Sequence, residues 1–195
     1  TFTGSLDQVE TKTTIWYDEN AIQEGECETM FMLGDHISVN GEESGDIIKE
    51  DGTTGALISF SVQGVSAPYH AVTAQHVSSY SDGAYIIKVN GTSNFQDYRL
   101  VKNDKSAVSF DSAADILAAY SDDETSLKFK HMCTFLAITV NSEGSSVPDN
   151  IKSVYIRQVG EQPNIAGKWD LTYDGEGNAP VLTPDELTEV IAYDC

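Results

Sequence analysis

His131 and Cys133 stand two residues apart in LKFKHMCTFLAITV. On an extended strand that spacing puts both side chains on one face. A histidine beside a cysteine can take the thiol proton and leave a thiolate nucleophile, given a cleft and a third group to orient the imidazole. Here both residues sit in the most apolar strand-like run of the chain, where a cysteine is usually an inert small hydrophobe, so a structural role is favoured. The other histidines, His36, His70 and His76, are scattered. His70 and His76 are too far apart for one helical turn and lack a nearby ligand trio, so no histidine metal site is expected. Asp174, Glu176 and Asn178 alternate with glycines in YDGEGNAP. Calcium loops use such oxygen spacing, but the bidentate acid is missing and a plain turn wants the same residues, so a turn is expected. Trp16, Tyr17 and Trp169 could stack on a sugar, although each type is more often a core or rim residue. The sequence has no phosphate-cradling glycine loop, no Gly-x-Ser-x-Gly elbow and no basic aromatic patch. The expectation is therefore a non-enzyme, with no catalytic residue, no cofactor and no metal.

The element that must position His131 is the run from Lys128 to Val140. Lys128 and Lys130 point one way, Phe129 and His131 the other. From Met132 onward both parities are apolar: Met132, Leu136, Ile138 and Val140 on one side, Cys133, Phe135 and Ala137 on the other. A strand apolar on both faces is covered on both, and one free of Gly and Pro belongs inside a sheet. Its β-branched and aromatic content, and the turn-rich SEGSSVPDN after it, favour a strand over a helix.

The chain has 195 residues, 40% of them apolar, which supports a folded core in one large domain or two small ones. Its formal net charge of -20 would repel nucleic acid and anionic membrane surfaces. That charge suits solubility, divalent cations or basic partners. No apolar run approaches the roughly 20 residues that cross a bilayer. No leader is visible either, since the chain opens on strand-like TFTG. Cys27, Cys133 and Cys195 fit neither a zinc motif nor a disulfide framework.

Along the chain, Thr1 to Ile15 reads as one or two short strands at the rim of a sheet. Asp18 to Glu28 reads as an acidic loop, His36 to Val39 as a strand, and Asn40 to Gly55 as a hairpin or long loop. Ala56 to Val65 alternates as a half-buried strand, and Tyr69 to Val77 forms the next element. Ser78 to Gly83 reads as a turn and Ala84 to Val89 as a strand. Asn90-Gly91 is a hairpin signal that would bring in Phe95 to Val101. Asp111 to Tyr120 is the one plausible helix, with Ala113, Ile116, Leu117 and Tyr120 on one face. Ile151 to Val159 and KWDLTY, within Asn164 to Tyr173, read as strands. Pro184 to Leu187 reads as one helical turn, and Glu189 to Tyr193 closes the chain. There is no internal repeat. Many short strands with turns between them indicate an antiparallel sandwich or barrel.

Several segments, in order over nearly the whole chain, resemble fimbrillin-like proteins. KTTIWYDENA followed by MFMLGDHISV resembles their opening, in which a TKT strand leads to a "W-x-x-GD-x-I-x-V" segment. Gly34, Asp35, Ile37 and Val39 hold that pattern, with Phe31 or Met32 where Trp is common. Tyr69-His70-Ala71-Val72 looks like the "Y-x-A-x-YP" strand without its Tyr-Pro. DILAAY and LKFKHMCTFLAITV match most closely, placing Asp115, Phe129, His131, Leu136 and Val140 in the expected order. Ile151 to Val154 and Ile165-Ala166-Gly167 fit the "I-K-S-I … L-x-G" continuation.

The resemblance implies an all-β, antiparallel transthyretin-like Greek-key sandwich with at most one short helix. Residues 1–195 would form a single domain like the family's first, the second domain being absent. It implies a structural or adhesive subunit of the type V pili of gram-negative anaerobes, at the cell surface in the fimbrium or outer membrane. The precursor would be a lipoprotein, associated with the outer membrane only through its lipid anchor. Its partners would be other pilin subunits, through strand exchange, and a host protein or glycan, with no nucleic acid. Maturation in the family often cuts after Arg. The arginines here are Arg99 and Arg157, so the cut has already been made, falls at Lys12, or is not used. A carbohydrate-binding surface module is the alternative.

Overall fold

The computed structural model describes residues 1–6, 31, 35–49, 57–89, 92–93, 99–102, 105–108, 115–133, 153–160 and 164–194. In chain order the strands are β1 (Phe2–Leu6), β2 (Ile37–Val39), β3 (Glu42–Glu43), β4 (Ile48–Lys49), β5 (Leu57–Phe60), β6 (Tyr69–Thr73), β7 (Val77–Ser81) and β8 (Ala84–Val89). Then come β9 (Thr92–Ser93), β10 (Arg99–Lys102), β11 (Lys105–Val108), β12 (Leu117–Ser121), β13 (Ser126–His131), β14 (Ser153–Ile156), β15 (Ala166–Thr172), β16 (Val181–Glu189) and β17 (Ile191–Asp194). Two short 3-10 turns, Ala74–His76 and Glu176–Asn178, complete the described elements. The fold is all-β, as expected, and among the described residues no helix is long and apolar enough to cross a membrane.

Two turns set the local geometry. Asn40-Gly41 joins β2 to β3 with φ of 49° and 86°, and Asp82-Gly83 joins β7 to β8 with φ of 52° and 82°. Positive φ at both central residues gives the turn whose twist matches paired strands. Asn40 also fastens the neighbouring loop. Its Nδ2 donates to the carbonyls of Ser66 and Pro68 at 2.8 and 2.9 Å, and its Oδ1 accepts the His70 N–H at 2.8 Å.

Eight strands form one sheet, in the order β3-β2-β6-β12-β13-β1-β5-β4. All its neighbours are antiparallel except β1 and β13. Successive side chains on β2, β6 and β12 alternate between two cores. Ile37, Val39, Ala71, Leu117 and Ala119 join Phe2, Phe31, Ile58, Phe60, Leu127 and Phe129 on one face. Val72 and Ala118 meet Tyr85, Ile87, Leu171 and Tyr173 on the other. Those four come from, or lie next to, a four-stranded sheet in the order β16-β15-β8-β7, so the two sheets pack as a sandwich. A three-stranded sheet, β14-β17-β9, and a ribbon, β10-β11, are also formed.

The structure corrects several expectations. Leu117 to Ser121 is a strand, not the end of a helix. Its apolar run is short and covered on both faces, and such a run imitates helical spacing. Residues 111–114 lie outside the described residues. Pro184 to Leu187 belongs to β16, not to a helical turn. The proline is tolerated because β16 is an outer strand of its sheet and its register shifts beside Trp169. Val77 to Ser81 is a strand, so the turn narrows to Asp82-Gly83. β8 pairs with β7 and β15, whereas Arg99–Lys102 pairs with β11. The expected Asn90-Gly91 turn lies outside the described residues. So do Leu136 to Val140, but β13 is an inner strand as expected, with Lys128 and Lys130 exposed and Leu127 and Phe129 buried. Among the described residues, β2, β6 and β12 are covered on both faces.

Candidate functional site: a first strand held between two neighbours

β1 alternates Phe2, Gly4 and Leu6, all buried, with the outward residues Thr3 and Ser5. It lies inside the large sheet, not at the rim the sequence suggested. One side runs parallel to β13, pairing Thr3 with Ser126, Gly4 with Leu127 and Leu6 with Phe129. The other runs antiparallel to β5, pairing Phe2 with Phe60 and Gly4 with Ile58. Neither neighbour is joined to β1 by a hairpin, since β5 begins at Leu57 and β13 at Ser126.

The slot is chemically defined. The Phe2 ring stacks on Phe60 at 5.5 Å between centroids and meets the Tyr69 ring edge-on at 5.0 Å. Phe129 packs edge-on against Phe31 at 5.4 Å. Gly4 lies where a methyl group would not fit: a Cβ there would stand 2.9 Å from Phe129 Cε2 and 3.0 Å from Ile58 Cγ1. Without β1, two rows of main-chain donors and acceptors would lie open on either side of an apolar trough.

His131 and Cys133 are not arranged for nucleophilic chemistry. His131 Nδ1 donates to Asp115 Oδ1 at 2.9 Å, and the two side chains are 3% and 1% exposed. Asp115 Oδ2 has no hydrogen-bond partner among the described residues. Cys133 lies beyond the end of β13, so strand alternation does not place it with His131, and it packs against the second core. Burial pushes its thiol up to about 11, and the Asp115 charge acts in the same direction. An activated thiolate requires the opposite shift.

The remaining candidates are dispersed. His36 Nδ1 lies 3.0 Å from the Ser44 carbonyl and 3.6 Å from Glu43. Buried His76 uses Nε2 to donate to the Asp115 carbonyl at 2.9 Å, which ties the turn after β6 to the start of β12. Asp174, Glu176 and Asn178 lie at a 3-10 turn in which Gly177 and Asn178 have φ of 67° and 58°. Among the described residues no three His, Cys, Asp or Glu side chains converge as metal ligands. Trp169 packs against the second core, and its buried Nε1 has no hydrogen-bond partner among the described residues. Trp16 and Tyr17 lie outside the described residues.

Sequence reasoning missed an aromatic cluster between the sheets. The His70 ring stacks on Tyr173 at 4.7 Å and lies 5.4 Å from Tyr120, with its Nδ1 2.9 Å from the Tyr80 hydroxyl. Tyr85 packs on Tyr80 and donates its hydroxyl to the His70 carbonyl at 3.0 Å. Tyr173 donates to the Ala71 carbonyl at 2.8 Å. Each hydroxyl meets a partner, so the cluster reads as a polar clasp between sheets. Tyrosines at 80 and 85, flanking Asp82-Gly83, were the available signal.

No family model matches the chain, and no curated protein or solved structure matches it either.

Proposed function

We propose that this chain is a structural or adhesive subunit of cell-surface fimbriae that associates by β-strand addition. The observation that carries the reading is β1 itself: a five-residue strand paired on both sides, with buried alternate side chains and no hairpin to either neighbour. Such a strand is exchangeable in principle, because a partner's strand can supply the same main-chain bonds and the same pocket-filling residues. The resemblance of the segments around Gly34-Asp35, Asp115 and Phe129 to fimbrillin-like proteins supports the same conclusion. With a net charge of -20, copies repel one another at long range, so association would rest on main-chain pairing and apolar filling. The partners are other subunits and a host protein or glycan at the cell surface. The alternative, a carbohydrate-binding module, has less support, because one of its three candidate platforms, Trp169, packs against the core.

Deletion of Thr1 to Lys12 tests the reading. The expected product takes up a synthetic peptide of residues 1–12, or pairs with full-length chain that still carries Phe2–Leu6, seen by size-exclusion chromatography with light scattering. A folded product that stays monomeric and refuses every strand peptide would overturn it.

A further inference from the structure

We propose that the slot holding β1 selects its occupant at a single position: it takes a strand with glycine paired to Leu127, under the edge of the Phe129 ring, and apolar side chains two residues to either side. This inference rests on the reading of the slot as a site of strand exchange and names the partner's sequence class. The centre is set by packing. A Cβ on Gly4 would stand 2.9 Å from the edge of the Phe129 ring and 3.0 and 3.3 Å from Ile58 Cγ1 and Cδ1. Both side chains are fully packed in the first core, and Phe129 is further held by Phe31, so neither has free space to retreat into. Gly4 has no positive φ, so the requirement is space and not backbone conformation. The flanks are set as well. The residue two before the glycine enters an aromatic niche made by Phe60 and Tyr69, and the residue two after it is buried beside Phe129. The intervening residues face outward and are uncharged in β1, as Thr3 and Ser5.

Among the fifteen glycines of the chain, two have apolar residues at both flanking positions: Gly4 in FTGSL and Gly167 in IAGKW. Gly167 is committed to β15, where a Cβ would stand 2.2 Å from the Glu186 carbonyl oxygen. Phe2–Leu6 is therefore the segment of this chain that fits, and a second copy of the chain is the partner that supplies it. The slot also dictates direction, since the entering strand must run parallel to β13 and antiparallel to β5.

The test uses the full chain with a protease recognition sequence inserted after Lys12, cut only after folding, so that β1 starts in place. Labelled peptides of residues 1–12 with Gly or Ala at position 4 are exchanged in and followed by fluorescence polarisation. The Ala peptide should bind about tenfold more weakly or worse, and Phe129→Leu in the acceptor should narrow that gap. Equal binding of the two peptides overturns the glycine rule while leaving strand uptake standing. If neither peptide exchanges, strand uptake falls, and the glycine rule is decided on the uncut chain. There Gly4→Ala should lower Tm, and the Gly4→Ala/Phe129→Leu double variant should melt higher than the two single losses added together. A Gly4→Ala chain that melts like the parent overturns the rule.

Discussion

His131 Nδ1 and Asp115 Oδ1 meet at 2.9 Å with both side chains sealed from solvent, which ties the end of β13 to the segment leading into β12. Removing one member of a buried pair strands the other. Asp115→Ala and His131→Ala are each expected to lose about 3–5 kcal/mol of unfolding free energy in urea titrations. The double variant should lose much less than the sum. Additive losses would show that the pair is not the stabilising unit.

Cys133 should be a poor nucleophile. A thiol pushed up to about 11 holds roughly a hundredfold less thiolate at pH 8 than one at its ordinary value of 9.0. In a Cys27→Ser/Cys195→Ser background, folded protein should react with a thiol reagent at least about a hundredfold more slowly than protein unfolded in urea. Fast labelling of the folded state would reopen the case for thiol chemistry at His131 and Cys133.

Burial depresses the pKa of His70 below its ordinary 6.5. The unfolded chain then binds the proton more tightly than the folded one. The contribution of His70 is present in full above pH 6.5 and is lost as pH falls through the folded value. Stability should fall more steeply from pH 7 to pH 5 in the parent than in His70→Gln, measured by thermal melts at matched ionic strength. Parallel profiles would place the pH sensitivity among the carboxylates.

Asn40 combines positive φ with three side-chain hydrogen bonds, two to the loop before β6 and one to His70 in β6. Asn40→Ala should cost about 2–4 kcal/mol, from lost bonds and from backbone strain at a left-handed position. Asn40→Gly keeps the conformation and should cost less, by about 1 kcal/mol. Urea titrations of the two variants separate the contributions, and equal losses would assign the whole effect to the hydrogen bonds.

Where two strand faces differ in polarity, the sequence was easy to read. Lys128 and Lys130 against Phe129 located β13, and the strand in KWDLTY is β15. Reading failed where the environment departs from one-sided burial. The run Ile116 to Ala119 is covered on both faces and carries no period-two signal, so its alanines read as helix. β16 is polar, acidic and interrupted by Pro184 because it is an outer strand. Thr1 to Ile15 read as strands at a rim, whereas β1 is an inner strand whose glycine marks the place where the Phe129 ring needs the room of a missing side chain. The bond between Asp115 and His131 spans sixteen residues, and no local pattern announces it.

The large sheet finishes at each side in a stub, Glu42-Glu43 in β3 and Ile48-Lys49 in β4. A two-residue selvedge offers too few free amides and carbonyls to template another layer, and the paired glutamates on one side repel a copy of themselves. If copies join through the slot of β1, these two margins would therefore add no further strand to the large sheet.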